Sequence, residues 1–157
     1  MKRILDTVHG YIMVSDELVK NIIDTSAFQR LRRIEQTSIR SVYPSARHDR
    51  FIHSLGVYHI GSLIVDHLRK EEEANDYWGE TANNMSVIYN SYLVACLLHD
   101  VGHAPFSHTF EDYYGQKKDL ARKLADEVNS DNFTSDLEQV RALDEPNFHE
   151  YVSAYIA

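Results

Sequence analysis

The spacing of apolar residues changes along the chain, and each change predicts an element. Residues 2–14 alternate loosely around Thr7-Val8-His9-Gly10, which predicts two short strands or extended arms with a turn at Gly10. Ser15 then reads as an N-cap, with Asp16 and Glu17 in the first turn of a short helix carrying Leu18, Val19, Ile22 and Ile23. A second helix is predicted from near Ser26 through Phe28, Leu31 and Ile34, followed by a connector over 37–48. From about Arg50 to Lys70 a long helix carries Phe51, Leu55, Ile60, Leu63, Ile64 and Leu68 as a broad apolar stripe. Glu71 to Glu80 reads as an acidic loop. Another apolar helix covers about 83–99, with Gly102 as a left-handed stop. Shorter polar helices are predicted near 107–114, 117–129 and 135–143, then an amphipathic segment from about 147. The expected architecture is all-α, a helical domain with a small N-terminal β-hairpin.

Phe148, Tyr151, Val152, Tyr155 and Ile156 recur at helical spacing up to Ala157. Such a face needs cover, from this domain, from a partner, or from a longer chain of which this is the N-terminal portion. The length of 157 residues suits a single domain. No window approaches the ~18 apolar residues of a membrane span, and the lone cysteine, Cys96, reads as a buried reduced thiol. A cytoplasmic protein is expected. The net charge of −8 argues against a surface that coats nucleic acid. Locally, however, Arg30, Arg32, Arg33, Arg40, Arg47 and Arg50 face only Glu35 and Asp49, a bias that suits phosphate or carboxylate recognition.

The histidines are grouped. His99-Asp100 closes the second apolar helix, and His103 and His108 follow directly; His53 lies early in the first long helix, and His149-Glu150 near the end. Imidazoles with an adjacent carboxylate suit a divalent ion such as Zn, Fe or Mn. At a helix end His99 and Asp100 can aim at one point, and packing of the two helices would bring His53 opposite them. His103 and His108 would stand beside the ion as phosphate-binding cations or proton donors.

The runs His48-Asp49-Arg50-Phe51-Ile52-His53-Ser54-Leu55-Gly56-Val57 and Leu98-His99-Asp100-Val101-Gly102-His103-Ala104-Pro105-Phe106-Ser107-His108 resemble the HD-domain phosphohydrolases. More narrowly, with Asp6-Thr7-Val8-His9-Gly10 and Ile23 to Arg32, they resemble the deoxynucleoside triphosphate triphosphohydrolases related to the SAM-and-HD-domain dNTPase and the bacterial dGTPases. The resemblance implies an HD-domain helical bundle that releases deoxynucleoside and inorganic triphosphate. It implies His53, His99 and Asp100 as ligands of Mg, Mn, Fe or Zn. His103, His108 and His149 would line the triphosphate and move protons, with Glu111 assisting His149. Gln36 would face the sugar and base, and Arg50 the phosphates. Asp24, Gln29 and Arg32 match the part that in such enzymes holds an activating guanine nucleotide between subunits, which implies a homo-oligomer.

The family pattern also has a fourth metal ligand, an Asp far downstream of His149, that this sequence does not match. The expectation therefore includes an alternative: a nucleotide- or metal-binding module without turnover, or one part of a split phosphohydrolase whose Asp comes from a C-terminal partner chain.

Overall fold

The computed structural model describes residues 1–37, 42–75, 82–106, 118–142 and 148–157. The predicted helix over 107–114, with His108 and Glu111, lies outside them. Strands β1 (Lys2–Asp6) and β2 (Gly10–Val14) form an antiparallel hairpin in which Ile4 faces Ile12 and Asp6 faces Gly10. Their alternation is visible in β2, where Ile12 and Val14 are buried while Tyr11 and Met13 face outward.

Ser15 caps α1 (Asp16–Leu18), its Oγ accepting from Leu18 N at 3.1 Å, and the chain continues as a π-turn over Val19–Ile23. Thr25 caps α2 (Ser26–Gln29), which tightens into a 3-10 turn over Arg30–Arg33. Ile34, expected inside this helix, is extended instead. Its carbonyl accepts the backbone N–H of Arg50 at 2.9 Å, so the chain must leave helical geometry there.

Helix α3 runs from Arg50 to Asn75, past the predicted end. The acidic run beyond Lys70 is helical to Asn75 because Glu is a good helix former and Glu72 bonds Tyr89. Helix α4 (Ala82–Leu98) lies antiparallel to α3, since Glu72 meets Tyr89 at one end and His53 meets His99 at the other. Gly61 permits the approach: a Cβ there would sit 2.8 Å from Cys96 Sγ. Phe28, Leu31, Phe51, Leu55 and Leu97 close the main core with the inner face of β2. The predicted stripe of α3 splits, because Ile60, Leu63, Ile64 and Leu68 are 42–52% exposed.

Helices α5 (Lys118–Val128), α6 (Asp131–Ala142) and α7 (Phe148–Ile156) follow. α6 begins four residues earlier than predicted because Ser130 caps it, accepting from Phe133 N. Tyr151 and Val152 of α7 pack on Leu124 and Phe133, so part of the terminal apolar face is covered by this domain.

Candidate metal centre

The first turn of α3 is set by a backbone clasp. Glu35 and Asp49 form an isolated antiparallel bridge, and Asp49 Oδ1 accepts from Ile52 N at 2.8 Å as a helix cap. Arg50 thereby becomes the first residue of α3, with His53 on the same face three residues later. At the end of α4, Val101 N reaches Leu98 O and His103 N reaches Asp100 O, two successive turns that gather His99, Asp100 and His103.

The arrangement centres on Asp100, which is 4% exposed. Arg50 Nη1 donates to its Oδ2 at 2.6 Å, and His53 Nε2 lies 3.6 Å from the same oxygen. His99 Nε2 and His103 Nε2 lie 3.5 and 3.4 Å from Oδ1. Burial alone would raise the Asp100 carboxyl, but the hydrogen bond from His103 and the fields of His99 and Arg50 outweigh it and hold it well below the usual carboxylate range. Burial lowers His53, against the pull of Asp100. Burial also lowers His103, against the hydrogen bond to Asp100.

These donors fit a metal. His99 Nδ1 lies 3.0 Å from the Cys96 carbonyl, the placement of an N–H donor, which leaves Nε2 a lone pair facing His53 Nε2 at 3.3 Å. Two nitrogens each about 2.1 Å from one tetrahedral ion stand about 3.4 Å apart. A ligand atom from each of His53, His99 and Asp100 falls within one 4.8 Å group. The same limit groups Asp100 with His103 and His149, whose rings stack at 3.7 Å.

Two cavities flank the His53–His99 pair. One of about 670 Å³, between α4 and α7, has largely apolar walls including Val87, Val94 and Leu98, and is also lined by His99 and His149. The other, about 530 Å³, is bordered by His53, Gln36, His9 and His48.

The structure thus brings together His53, His99, Asp100, His103, His149 and Arg50. Arg50, expected at the phosphates, is buried against Asp100. Gln36 borders the second cavity. Asp24, Gln29 and Arg32 are not in this cluster. Arg32 Nε donates to Gln29 Oε1 at 2.9 Å and its guanidinium lies over Phe51, while Asp24 stands 3.8 Å from Lys2 Nζ.

Three positioning residues were not legible in the sequence. Arg30 Nη1 donates to His103 O at 2.7 Å and Nη2 bonds Val101 O, which pins the ligand turn to the 3-10 segment. Ser153 Oγ accepts from Gly102 N and donates to His99 O, both at 2.8 Å. Gly102 is not the predicted left-handed stop, since among the described glycines only Gly10 has positive φ. It is needed for clearance: a Cβ there would lie 2.4 Å from His149 O and Ser153 N.

Known proteins are similar to this chain in sequence and fold. The profile of the HD domain matches residues 50–154. The chain is 38% identical over 148 residues to an uncharacterized protein of Methanocaldococcus jannaschii, covering 94% of this chain and 29% of that one. It is 41% identical over 115 residues to the human deoxynucleoside triphosphate triphosphohydrolase SAMHD1, covering 71% and 17%. A phosphohydrolase of Bacteroides thetaiotaomicron superposes with a TM-score of 0.61 at 29% identity, covering 98% of this chain and 38% of that one. The chain spans about a quarter of the length of such curated relatives. No described helix is long and apolar enough to cross a membrane. With its histidine–aspartate cluster, which could hold a metal ion, at the junction of two long helices, the chain belongs to the HD-domain family.

Proposed function

We propose that this HD domain hydrolyses deoxynucleoside triphosphates to deoxynucleoside and inorganic triphosphate. The observation that supports this reading best is the convergence of His53, His99 and Asp100 beside Arg50 and the stacked His103–His149 pair. SAMHD1, which shares this stretch of sequence, is named for that reaction.

His53, His99 and Asp100 would hold the ion, which when bound lowers the pKa of water and polarises a phosphoryl oxygen. Arg50 keeps Asp100 ionised and oriented, and brings a fixed positive charge beside the incoming phosphates. His103 Nε2 fixes the second oxygen of Asp100. His108, with His149 second, gives the proton to the departing 5′-oxygen, and Glu111 assists His149. Asp24, Gln29 and Arg32 form the activator site between copies of a cytoplasmic homo-oligomer.

The test is incubation with each dNTP and Mg²⁺ or Mn²⁺, with chromatography for deoxynucleoside and triphosphate. Both products are expected, and neither from Asp100→Ala. A second reading is a module that binds nucleotide without turnover, or one part of a split enzyme. It draws on the apolar cavity beside His99 and on Tyr155 and Ile156, still 41% and 37% exposed, as a seat for a partner chain. Nucleotide binding without products, and products restored by a second polypeptide, would favour it.

A further inference from the structure

We infer that the turn of the N-terminal hairpin supplies His9 as a substrate-binding residue for the nucleoside end of the substrate. The inference rests on the nucleotide reading above and adds a residue on a separate element. Asp6 Oδ1 accepts the backbone N–H groups of Val8 and His9, both at 2.8 Å, and so closes the turn. The closed turn lays the His9 ring on α3. A Cβ at Gly56 would lie 3.0 Å from His9 Nε2, and the His59 ring is 5.2 Å away between centroids. Gly56 is three residues beyond His53, so His9 stands one helical turn from a metal-ligand position.

The space between them is the 530 Å³ cavity, a volume suited to a small-molecule site. Because His53 is part of its wall, whatever is joined to a phosphoryl group at the metal centre can extend into it. Its lining suits a nucleoside. His9 and His48 offer flat rings with nitrogen donors and acceptors, and Val57 and Ile60 offer apolar contact. Gln36 Oε1 is buried there with no hydrogen-bond partner among the described residues. A buried acceptor in that state calls for a donor, which a sugar hydroxyl or an amino group of a base provides. The cavity beside His99 has imidazoles too, His99 and His149, but among the described residues no buried amide oxygen without a hydrogen-bond partner.

The test uses the full chain, His9→Ala and His9→Gln, with one purine and one pyrimidine deoxynucleoside as calorimetric probes. His9→Ala should weaken deoxynucleoside binding and raise KM for dNTP by about tenfold or more, the loss of one good polar contact. Its kcat, metal content and Tm should stay at wild-type values. His9→Gln, which keeps a donor and an acceptor, should recover part of the affinity. In the wild-type chain, deoxynucleoside should shift the His9 imidazole resonances, a readout that needs no variant. Unchanged affinity and KM in His9→Ala, equal loss of metal or Tm, or no shift of His9 would each overturn the inference. Deoxynucleoside binding that depends on His9 without dNTP turnover would sustain it while removing the hydrolase reading.

Discussion

Ser153 ties the last helix to a metal-ligand residue: its hydroxyl donates to the carbonyl of His99 and accepts the N–H of Gly102, each at 2.8 Å. Ser153 is 4% exposed, so its removal leaves both backbone groups without that partner inside the protein. Ser153→Ala should cost about 1–3 kcal/mol, lowering Tm by several degrees in thermal denaturation. It should also weaken metal binding, measured by titration, because the His99 turn loses its brace.

Gly102→Ala tests the same junction by steric pressure. The added methyl would meet the α7 backbone at 2.4 Å, so α7 must shift. A loss of about 1–3 kcal/mol is expected from overpacking, together with faster limited proteolysis of α7. Retained Tm and protection would show that α7 does not depend on this contact.

The Arg50–Asp100 pair is buried at both partners, 2% and 5% exposed. Arg50→Met should destabilise by about 3–5 kcal/mol, since a buried carboxylate loses its guanidinium. Arg50→Met with Asp100→Leu should regain much of that stability in urea titrations and bind no metal, which separates the two roles of the pair.

Removal of His53 or His99 by alanine should lower metal content, measured by elemental analysis, by about tenfold or more. Tm of the metal-stripped protein should change less, because both rings are about one-third exposed.

The hairpin turn carries a pH dependence. Backbone N–H groups of His9 and Val8 hold the Asp6 carboxyl below its ordinary value. A carboxyl lowered on folding contributes stability that is complete above its unfolded pKa, about 3.9, and is lost as pH falls through the lower folded value. Turn order, read by amide exchange at Val8 and His9, should therefore persist at neutral pH and fall in acid. In Asp6→Asn it should change little over that range.

Much of this protein can be read from residue order. Ile12 and Val14 alternate with Tyr11 and Met13, Ser15 caps a helix, and Phe51 and Leu55 repeat at helical spacing; each depends on neighbours within a few positions. The pairing of His53 with His99-Asp100 was legible for the same reason, because each sits near the end of a long apolar helix. What the linear order could not show is which surfaces meet. Arg30 looked like one more cation on a charged flank, Gly102 like a helix stop and Ser153 like an unremarkable position. Their roles depend on contacts 51 to 73 positions apart in the chain, and so does the burial of His103. Local periodicity selects elements. Only the packing of α3, α4 and α7 decides which groups lose water and which backbone atoms approach, and with them the charge and shape of the site.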